Sequence, residues 1–319
     1  ADGWSLKEAN VPGYPFPFAA NGTEAMWNAK MRYRGVGIDY KNTVTSVSPR
    51  KGGSTWIRAG QEFTAFMPWG AKGSNLLSKL PPVEYYAYFA YNSPTALAGQ
   101  ALAIAFYLDQ PGSETFYYFP GQRRVRRMPS YSYDSPQIGM ENQYTLDEPF
   151  VFNGTIDRFD WKLVGKKELI VPYNAFGAYA FDRKWEDIAK PDFIDPSARR
   201  YELHRVWVVE ATVKAGMRHT APKRTFYLDE DSWGMVLAED YDAQGKLAKV
   251  REGFLIPVYE TGSCDVSAFV QHNLTEGRYL FDMHAAGTGT DVRWMTEPEG
   301  ARFSPEFYTA DNLRSVSER

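Results

Sequence analysis

The sequence predicts a mainly β protein of the α+β class, in which antiparallel strands dominate over a few short helices. Runs rich in aromatic and β-branched residues are separated by clusters of Gly, Pro, Ser and Asn along most of the 319 residues, which is the pattern of strands joined by turns. The chain contains 9 Trp, 21 Tyr and 20 Phe, and such rings fit a pleated, half-buried surface. Leucine-rich helical periodicity is nearly absent and no repeat is visible, so we expect little helix.

The amino-terminal part combines a proline-rich segment with one short helix. Residues 1 to about 20 include the stretch 12–18, whose prolines exclude a regular helix. Residues 23–32 predict a helix that Thr23 would cap. Extended segments bounded by turn-forming residues are predicted after this helix, at residues 43–47, 54–57, 62–67, 83–91, 101–108 and 115–119.

Residues 116–128 predict a hairpin with a basic return strand. Four aromatic residues favour the first strand, and Pro120-Gly121 supplies a tight reversal. On the return strand, Arg123, Val125 and Arg127 would share one face, with Arg124 and Arg126 on the other. Because both faces carry cations, we expect an edge or rim strand that meets water, an anionic headgroup, a partner or paired carboxylates. A solvated edge strand that resists aggregation explains the pattern equally well.

The carboxyl-terminal half gives the clearest strand signals. Residues 163–173 contain two apolar stretches that Pro172 would end. A long strand is predicted at residues 201–213. Three further strands joined by two tight acidic turns, at residues 224–228, 233–240 and 246–251, form a predicted antiparallel meander. Short closing helices are expected within residues 303–319. Because no stretch has the composition of a linker, we expect one domain over residues 1–319.

Composition and charge exclude several classes of protein. A net charge of −3 argues against a general nucleic-acid binder. The single cysteine, Cys264, allows no intrachain disulfide, and its flanking residues predict a loop and not a catalytic thiol. No run approaches the roughly 18 apolar residues of a membrane-spanning helix. The first residues lack the features of an export signal, so for a secreted protein we expect that signal to have been removed.

The sequence offers little catalytic machinery. The four histidines, His204, His219, His272 and His284, are not spaced to place two ligands on one face. Nucleophile-elbow, Walker and Rossmann patterns are absent from the sequence. We therefore expect neither an enzyme nor a bound metal or cofactor.

Two carboxylates near the middle of the chain are interpreted as structural. Asp157 and Asp160 flank Arg158, and we expect them to pair with that arginine or with the arginines of residues 123–127. A facing pair of catalytic carboxylates would need a geometry that sequence does not reveal.

Distinctive motifs are found at residues 22–31, 32–35 (Arg-Tyr-Arg-Gly), 123–127, 152–154, 157–158, 160–168, 172–174 and 302–305, and in the meander. Together they resemble, over most of residues 20–310, a family of Gram-negative periplasmic proteins catalogued as a domain of unknown function. The hairpins at residues 120–127 and 227–233, the second followed by residues 241–247, are also similar to hairpins of outer-membrane lipoprotein-sorting proteins.

The resemblance implies a large, strongly curved antiparallel sheet, a half-barrel like those of LolA and LolB, wrapped around a few short helices and an apolar cavity. It also implies a periplasmic location, and association with an RND-superfamily exporter and an outer-membrane partner protein. No catalytic residues come with the family.

These features lead to the hypothesis of a carrier for a lipid or other hydrophobic molecule. Burying an alkyl chain contributes about 0.8 kcal/mol per methylene, and arginines 123, 124, 126 and 127 at a rim would pair with anionic headgroups. The rings expected to line the cavity are Trp56, Phe66, Trp69, Tyr86, Tyr88, Phe106, Trp207 and Trp233. Taken singly, each ring is better explained as ordinary core than as a ligand contact.

Two other functions fit the same composition. A carbohydrate-binding or carbohydrate-active β protein would use exposed Trp and Tyr side chains as stacking platforms. A structural scaffold of an envelope complex would bind partners and contain neither a cavity nor a ligand.

Overall fold

A computed structural model describes residues 3–318 of the chain. Its strands are β1 (Asn10–Val11), β2 (Gly37–Val47), β3 (Ile57–Phe66), β4 (Asn75–Leu76), β5 (Val83–Ser93), β6 (Ala101–Tyr107), β7 (Ser113–Phe119), β8 (Arg124–Arg127), β9 (Phe159–Pro172), β10 (Tyr201–Val213), β11 (Lys223–Asp229), β12 (Met235–Tyr241), β13 (Leu247–Val258), β14 (Ser263–Asn273), β15 (Arg278–His284) and β16 (Arg293–Met295). The α-helices are α1 (Gly22–Lys30), α2 (Phe176–Tyr179), α3 (Trp185–Ile188) and α4 (Ala310–Ser317). Short 3-10 turns lie at Pro68–Gly70, Leu77–Lys79, Pro120–Gln122, Pro196–Ala198, Ala301–Phe303 and Pro305–Tyr308.

Within these residues, a 14-stranded sheet dominates the molecule. Its strands follow the order β8-β7-β6-β5-β3-β2-β15-β14-β13-β12-β11-β10-β9, with β16 paired to β2. All described pairs in it are antiparallel, and β8 and β9 are its two edges, so the sheet does not close. The prediction of a mainly β fold with a large antiparallel sheet and few helices is confirmed.

Helix α1 begins at Gly22, one residue before the predicted start at Thr23. Asn21, and not Thr23, is its N-cap, because the Asn21 side chain accepts a hydrogen bond from the Glu24 backbone N–H at 3.0 Å. The Glu24 carboxylate also accepts from the backbone N–H of Ala20, the residue before the N-cap, at 2.7 Å. The helix packs against β9 and β10, and Trp27 is buried there.

Strand boundaries agree well with the sequence where a turn signal adjoins an alternating run. Strand β10 has the predicted bounds, and the three-strand meander is present as β11 to β13. Of the predicted segment 54–57, only Ile57 belongs to a strand. Cys264, expected in a loop, lies in β14.

The basic hairpin differs from the prediction at its turn. Arg123 has φ of 49° and belongs to the reversal, so the return strand begins at Arg124. Strand β8 is the edge of the sheet, and its arginines are exposed.

The buried side chains form three clusters. The largest contains α1, one side of the sheet and residues 140–159, and a second lies beside α2 and α3. The third is formed by residues of β5 and β6 that the carboxyl-terminal turns and α4 cover. No helix within residues 3–318 has both the length and the apolar character needed to cross a membrane.

Candidate functional site

An apolar cavity of about 80 Å³ lies between the sheet and a long irregular segment. Its walls come from neighbouring strands whose alternate side chains point to the same side. On β5 and β6 these are cross-strand partners, Tyr85 with Phe106, Ala87 with Ile104, and Phe89 with Leu102. Phe63 of β3 and Met283 of β15 extend the apolar wall.

Residues 128–158, the covering segment, close the cavity from the other side. Between β8 and β9 this segment has no helix or strand among its described residues, apart from one isolated bridge between Pro136 and Thr145. Tyr131, Tyr133 and Phe150 line the cavity from it. An irregular stretch of this length inside a packed protein is characteristic of a functional loop or lid.

A buried ion network attaches the covering segment to the sheet. The Asp147 carboxylate lies 2.6 Å from Arg224 of β11, which is also 3.0 Å from Asp240 of β12. Arg251 of β13 is 2.6 Å from the same Asp240 carboxylate, and Glu148 is 2.7 Å from a lysine of β13. Burial opposes ionisation, but the neighbouring arginines outweigh it and hold the pKa of Asp147 and of Asp240 well below the usual range. The segment is therefore attached through charges that remain ionised.

The covering segment also has an unusual backbone. Five of its non-glycine residues have positive φ: Tyr133, Glu141, Asn142, Phe150 and Val151. For the β-branched Val151 a φ of 77° is an outlier that local preferences do not explain. Its carbonyl accepts a hydrogen bond from Arg251 at 3.0 Å, so tertiary contacts stabilise this conformation. Such strain costs about 1–3 kcal/mol per residue and is typical of functional loops.

The polar end of the cavity is formed by Asp282 of β15. Its carboxylate accepts hydrogen bonds from the hydroxyls of Thr45 and of Tyr144 in the covering segment. Burial raises the pKa of Asp282 to about 6, because the two hydroxyls and a backbone N–H only partly replace water. The cavity is thus apolar on most of its surface and has one acidic end.

A larger and more open cleft of about 440 Å³ lies at another place in the structure. Four tyrosines line it, Tyr14, Tyr33, Tyr173 and Tyr259, together with Cys264 and Asp231. Burial raises the pKa of the Cys264 thiol, which disfavours the thiolate form that a nucleophile needs.

One group of side chains beside this cleft has the composition of a metal site. Atoms of His204, Asp229 and Asp231 lie within 4.8 Å of one another. The Asp229 carboxylate already accepts from His204 at 3.0 Å and from the Ser232 N–H and hydroxyl at 2.9 and 2.6 Å. Hydrogen bonds within the protein therefore account for the positions of His204 and Asp229.

The structure separates the rings that the sequence placed in one cavity. Of the eight, Phe106 lines the apolar cavity. Phe66, Tyr86 and Tyr88 belong to the cluster beneath α4, and Trp56 packs on Trp185 with ring centroids 4.8 Å apart. Side-chain parity is the reason, because Tyr86 and Tyr88 point to the opposite side of β5 from Tyr85.

The three remaining predicted rings are tryptophans, and none lines the apolar cavity. Trp69 is buried and donates a hydrogen bond to the Glu84 carbonyl at 2.6 Å. Trp207 and Trp233 stack at 5.9 Å, with Lys166 over the Trp207 ring at 4.3 Å.

The arginines expected at a rim do not line the cavities described here. Arg127 forms an ion pair with Glu114 at 2.9 Å, and Arg126 donates to Gln122 at 2.6 Å. Arg123 approaches Glu318 at 4.0 Å. Together with Arg124 they make a basic, exposed sheet edge.

The expected ion pairs around Arg158 are replaced by others. Arg158 pairs with Asp134 at 3.7 Å, and its guanidinium lies over the Tyr133 ring at 3.6 Å. Asp157 accepts a hydrogen bond from the Tyr133 hydroxyl at 2.9 Å, and Asp160 is exposed. These residues tie the ends of the covering segment together.

Sequence reasoning missed most of the cavity and the whole ion network. The sequence of strand β6 distinguishes its two faces, because large residues at 102, 104 and 106 alternate with alanines at 101, 103 and 105. The large side chains mark the cavity wall, and the alanines mark the side covered by the carboxyl-terminal turns and α4. No local pattern identifies Asp147 as the partner of Arg224, which is far away in sequence.

Comparisons with known proteins agree on family and fold. Residues 1–314 match the family described as "Protein of unknown function (DUF1329)". An uncharacterized protein of Pseudomonas aeruginosa is 37% identical over 268 residues, which are 83% of this chain and 58% of that protein. The chain thus spans little more than half the length of this relative.

Two solved structures have similar folds. A DUF1329 family protein from Desulfovibrio piger superimposes with a TM-score of 0.54 at 14% identity, covering 86% of this chain and 91% of that one. A putative outer membrane lipoprotein-sorting protein domain from Vibrio parahaemolyticus gives a TM-score of 0.57 at 14% identity, with coverage of 92% and 98%. The chain belongs to the DUF1329 family, and its fold is that of the lipoprotein-sorting proteins that the sequence resembles.

Proposed function

We propose that this protein is a periplasmic carrier or binding protein for a lipid or other hydrophobic molecule. The observation that carries the proposal is the apolar cavity between β5, β6 and the covering segment. A fold similar to a putative lipoprotein-sorting domain supports it, as does the strained and irregular backbone of the segment that closes the cavity. The chain acts in this proposal as one LolA-like unit with no catalytic step.

The size of the cavity defines how a ligand enters. A volume of about 80 Å³ is smaller than the roughly 150 Å³ cavity that holds benzene. A longer alkyl chain therefore has to displace rings of the covering segment, such as Phe150, from the cavity. Each methylene that then leaves water contributes about 0.8 kcal/mol, which offsets the cost of opening.

The resemblance to envelope proteins suggests the partners. We place the carrier between an RND-type exporter and an outer-membrane protein. The exposed arginines of β8 are the proposed contact with one of these partners, because an edge strand offers unpaired backbone groups as well as charge. Cross-linking from position 126 in cells, followed by mass spectrometry, would identify that partner, and an absence of cross-links to envelope proteins would contradict this assignment.

The carrier proposal is tested on protein purified without detergent. Organic extraction and mass spectrometry are expected to recover a bound hydrophobic molecule, or the emptied protein is expected to bind N-phenyl-1-naphthylamine with enhanced fluorescence. Heat-unfolded protein is the control. Empty extracts together with no binding of this dye would refute the proposal.

The tyrosine-lined cleft supports a second candidate, carbohydrate binding. Tyr259 is 82% exposed and Tyr14 is 41% exposed, so their rings are available for stacking on sugars. A glycan array distinguishes the two candidates, because binding that is lost in Tyr259→Ala would favour the sugar-binding function.

A further inference from the structure

Three buried cations meet in a small pocket beside the apolar cavity. Lys30, Arg32 and Arg34, which end α1 and follow it, are 4, 5 and 6% exposed. The carboxylates that face them are Glu84 and Asp265, both buried. Three cations against two carboxylates leave one positive charge of this cluster without a counter-ion.

Both carboxylates are already engaged by other groups. Glu84 lies 2.7 Å from the Lys30 ammonium. One oxygen of Asp265 accepts from Arg32 at 3.2 Å and from the Val266 N–H at 2.9 Å, and the other accepts from the Trp294 indole at 3.1 Å. Asp265 therefore has little acceptor capacity left for the third cation.

Arg34 is the least well paired of the three cations. Its nearest carboxylate oxygen, on Asp265, is 3.6 Å away, beyond hydrogen-bond distance. Within residues 3–318 its Nε atom is buried without a partner. Its guanidinium instead lies 5.9 Å from the centre of the Phe150 ring. A buried guanidinium with unsatisfied donors is costly unless an anion completes its coordination.

Arg32 shows the same excess of positive charge. Burial, with the neighbouring Arg34 as the next cause, lowers the pKa of Arg32 to about 10. An anion placed between the two guanidiniums would remove this repulsion.

The cationic pocket adjoins the apolar cavity. Tyr85, Phe150 and Asn153 line both spaces, and Phe150, with its positive φ, lies at their junction. An amphiphile could therefore place its charged end at Arg34 and its chain among the rings. The pocket measures about 20 Å³, which is room for little more than one water, so a flat carboxylate fits better than a tetrahedral phosphate.

We propose that Lys30, Arg32 and Arg34 bind the carboxylate of a long-chain carboxylic acid whose apolar chain occupies the adjoining cavity. This inference rests on the proposed carrier function and specifies the chemical class of its ligand. Guanidinium groups suit this task because their donors match the two oxygens of a carboxylate.

The test compares ligands of one chain length that differ only in the head. Dodecanoate, 1-dodecanol and dodecyl phosphate each compete with N-phenyl-1-naphthylamine on the full chain at pH 7.5, and acetate serves as a head without a chain. Wild type is expected to bind dodecanoate at least tenfold more tightly than dodecanol. Arg34→Met is expected to reduce this ratio to below threefold while dodecanol affinity is kept, and Arg34→Lys to retain part of it.

Arg314→Met is the matched control, because Arg314 lies on α4 and pairs with Glu318. It is expected to keep the wild-type ratio. Circular dichroism checks that each variant is folded. If Arg34→Met does not fold, the ratio of dodecanoate to dodecanol affinity in the wild type still tests the carboxylate site.

Each other outcome overturns a defined part of the inference. Equal affinities for dodecanoate and dodecanol would refute the carboxylate site and leave the carrier function intact. If dodecyl phosphate bound more tightly than dodecanoate, the head group of the ligand would be a phosphate and not a carboxylate. If acetate bound as tightly as dodecanoate, the anion site would be independent of the apolar cavity. Failure of all ligands and of the dye would instead remove the carrier function itself.

Discussion

The Tyr144 hydroxyl donates a hydrogen bond to the Asp282 carboxylate and so joins the covering segment to the central strand β15. Both residues line the apolar cavity. Because burial raises the pKa of Asp282 to about 6, the acceptor in this hydrogen bond is a carboxylate above that pH and a neutral carboxyl group below it. We therefore expect the strength of this contact to depend on the protonation of Asp282.

Removing this hydroxyl should loosen the covering segment. Tyr144→Phe keeps the ring and leaves the buried carboxylate with one donor fewer, which we expect to cost about 1–3 kcal/mol at pH 7. The loss should be smaller at pH 5, where Asp282 is protonated. Urea unfolding measures the cost, and hydrogen exchange should increase within residues 128–158.

Tyr107→Phe is the matched control for this prediction. The Tyr107 hydroxyl donates to Glu114 at 3.0 Å in a half-buried place away from the covering segment. An equal loss of stability in both variants, or unchanged exchange of residues 128–158 in Tyr144→Phe, would show that the contact does not close the cavity.

Asp282 and His284, two buried groups close together in sequence, should make opposite contributions to the pH dependence of folding stability. The folded pKa of Asp282 is raised from 3.8 to about 6, so the unfolded state binds fewer protons between these values and stability falls as pH rises through them. Burial lowers the pKa of His284 from 6.5 to about 3. The stability that His284 contributes in its neutral form is therefore fully present above pH 6.5 and is lost as pH falls toward 3.

The two effects nearly cancel in wild type between about pH 4 and 6, and single variants should separate them. Relative to wild type, Asp282→Asn should gain stability with rising pH by up to roughly 1.4 kcal/mol per unit, the value for one proton. His284→Asn should lose stability over the same range with the opposite slope. Urea unfolding at half-unit intervals checks both slopes, and parallel curves for all three proteins would contradict the assignment.

The sequence predicted strands better than it predicted the site, and the reason is visible in β5. Residues 85–89 read Tyr-Tyr-Ala-Tyr-Phe, without a polar residue to distinguish the two faces. Both faces are buried, one by the covering segment and the other by the carboxyl-terminal turns and α4. Alternation thus defined a strand but gave no basis for choosing Tyr85 over Tyr86.

The charged residues of the interior were harder to predict for a related reason. Arg34 was part of a family motif, but Asp265, its nearest carboxylate, belongs to a strand that the sequence suggested was a loop. Burial of Arg224 and Arg251 depends on acids supplied by residues 147 and 148. Pairing across such sequence distances depends on the folded topology, and a local pattern contains no information on it.

The buried ion network should be essential for stability, unlike ion pairs at the surface. Asp147→Asn leaves Arg224 buried without its 2.6 Å partner, and we expect a loss of about 3–5 kcal/mol. Glu230→Gln, which removes a partner of Arg205 and Lys166 near the surface, should change stability little. Thermal and urea unfolding compare the two, and similar losses would contradict the role given to the network.

Filling the cavity should abolish binding without unfolding the protein. Ala87 is 2% exposed and lines the cavity, so Ala87→Leu would place three more carbon atoms in a space of about 80 Å³. Since that space is empty of protein atoms, we expect a change in unfolding free energy below about 1 kcal/mol. The affinity for N-phenyl-1-naphthylamine should fall at least tenfold in a fluorescence titration.

Ala103→Leu on β6 is the control, and we expect it to lower stability without changing binding. Ala103 is 1% exposed and packs in the cluster beneath α4, on the other side of the sheet. Extra volume there should cost about 1–3 kcal/mol through overpacking and leave dye affinity unchanged. If Ala103→Leu weakened binding and Ala87→Leu did not, the ligand would have to lie on the α4 side of the sheet, where Phe66, Tyr86 and Tyr88 are packed.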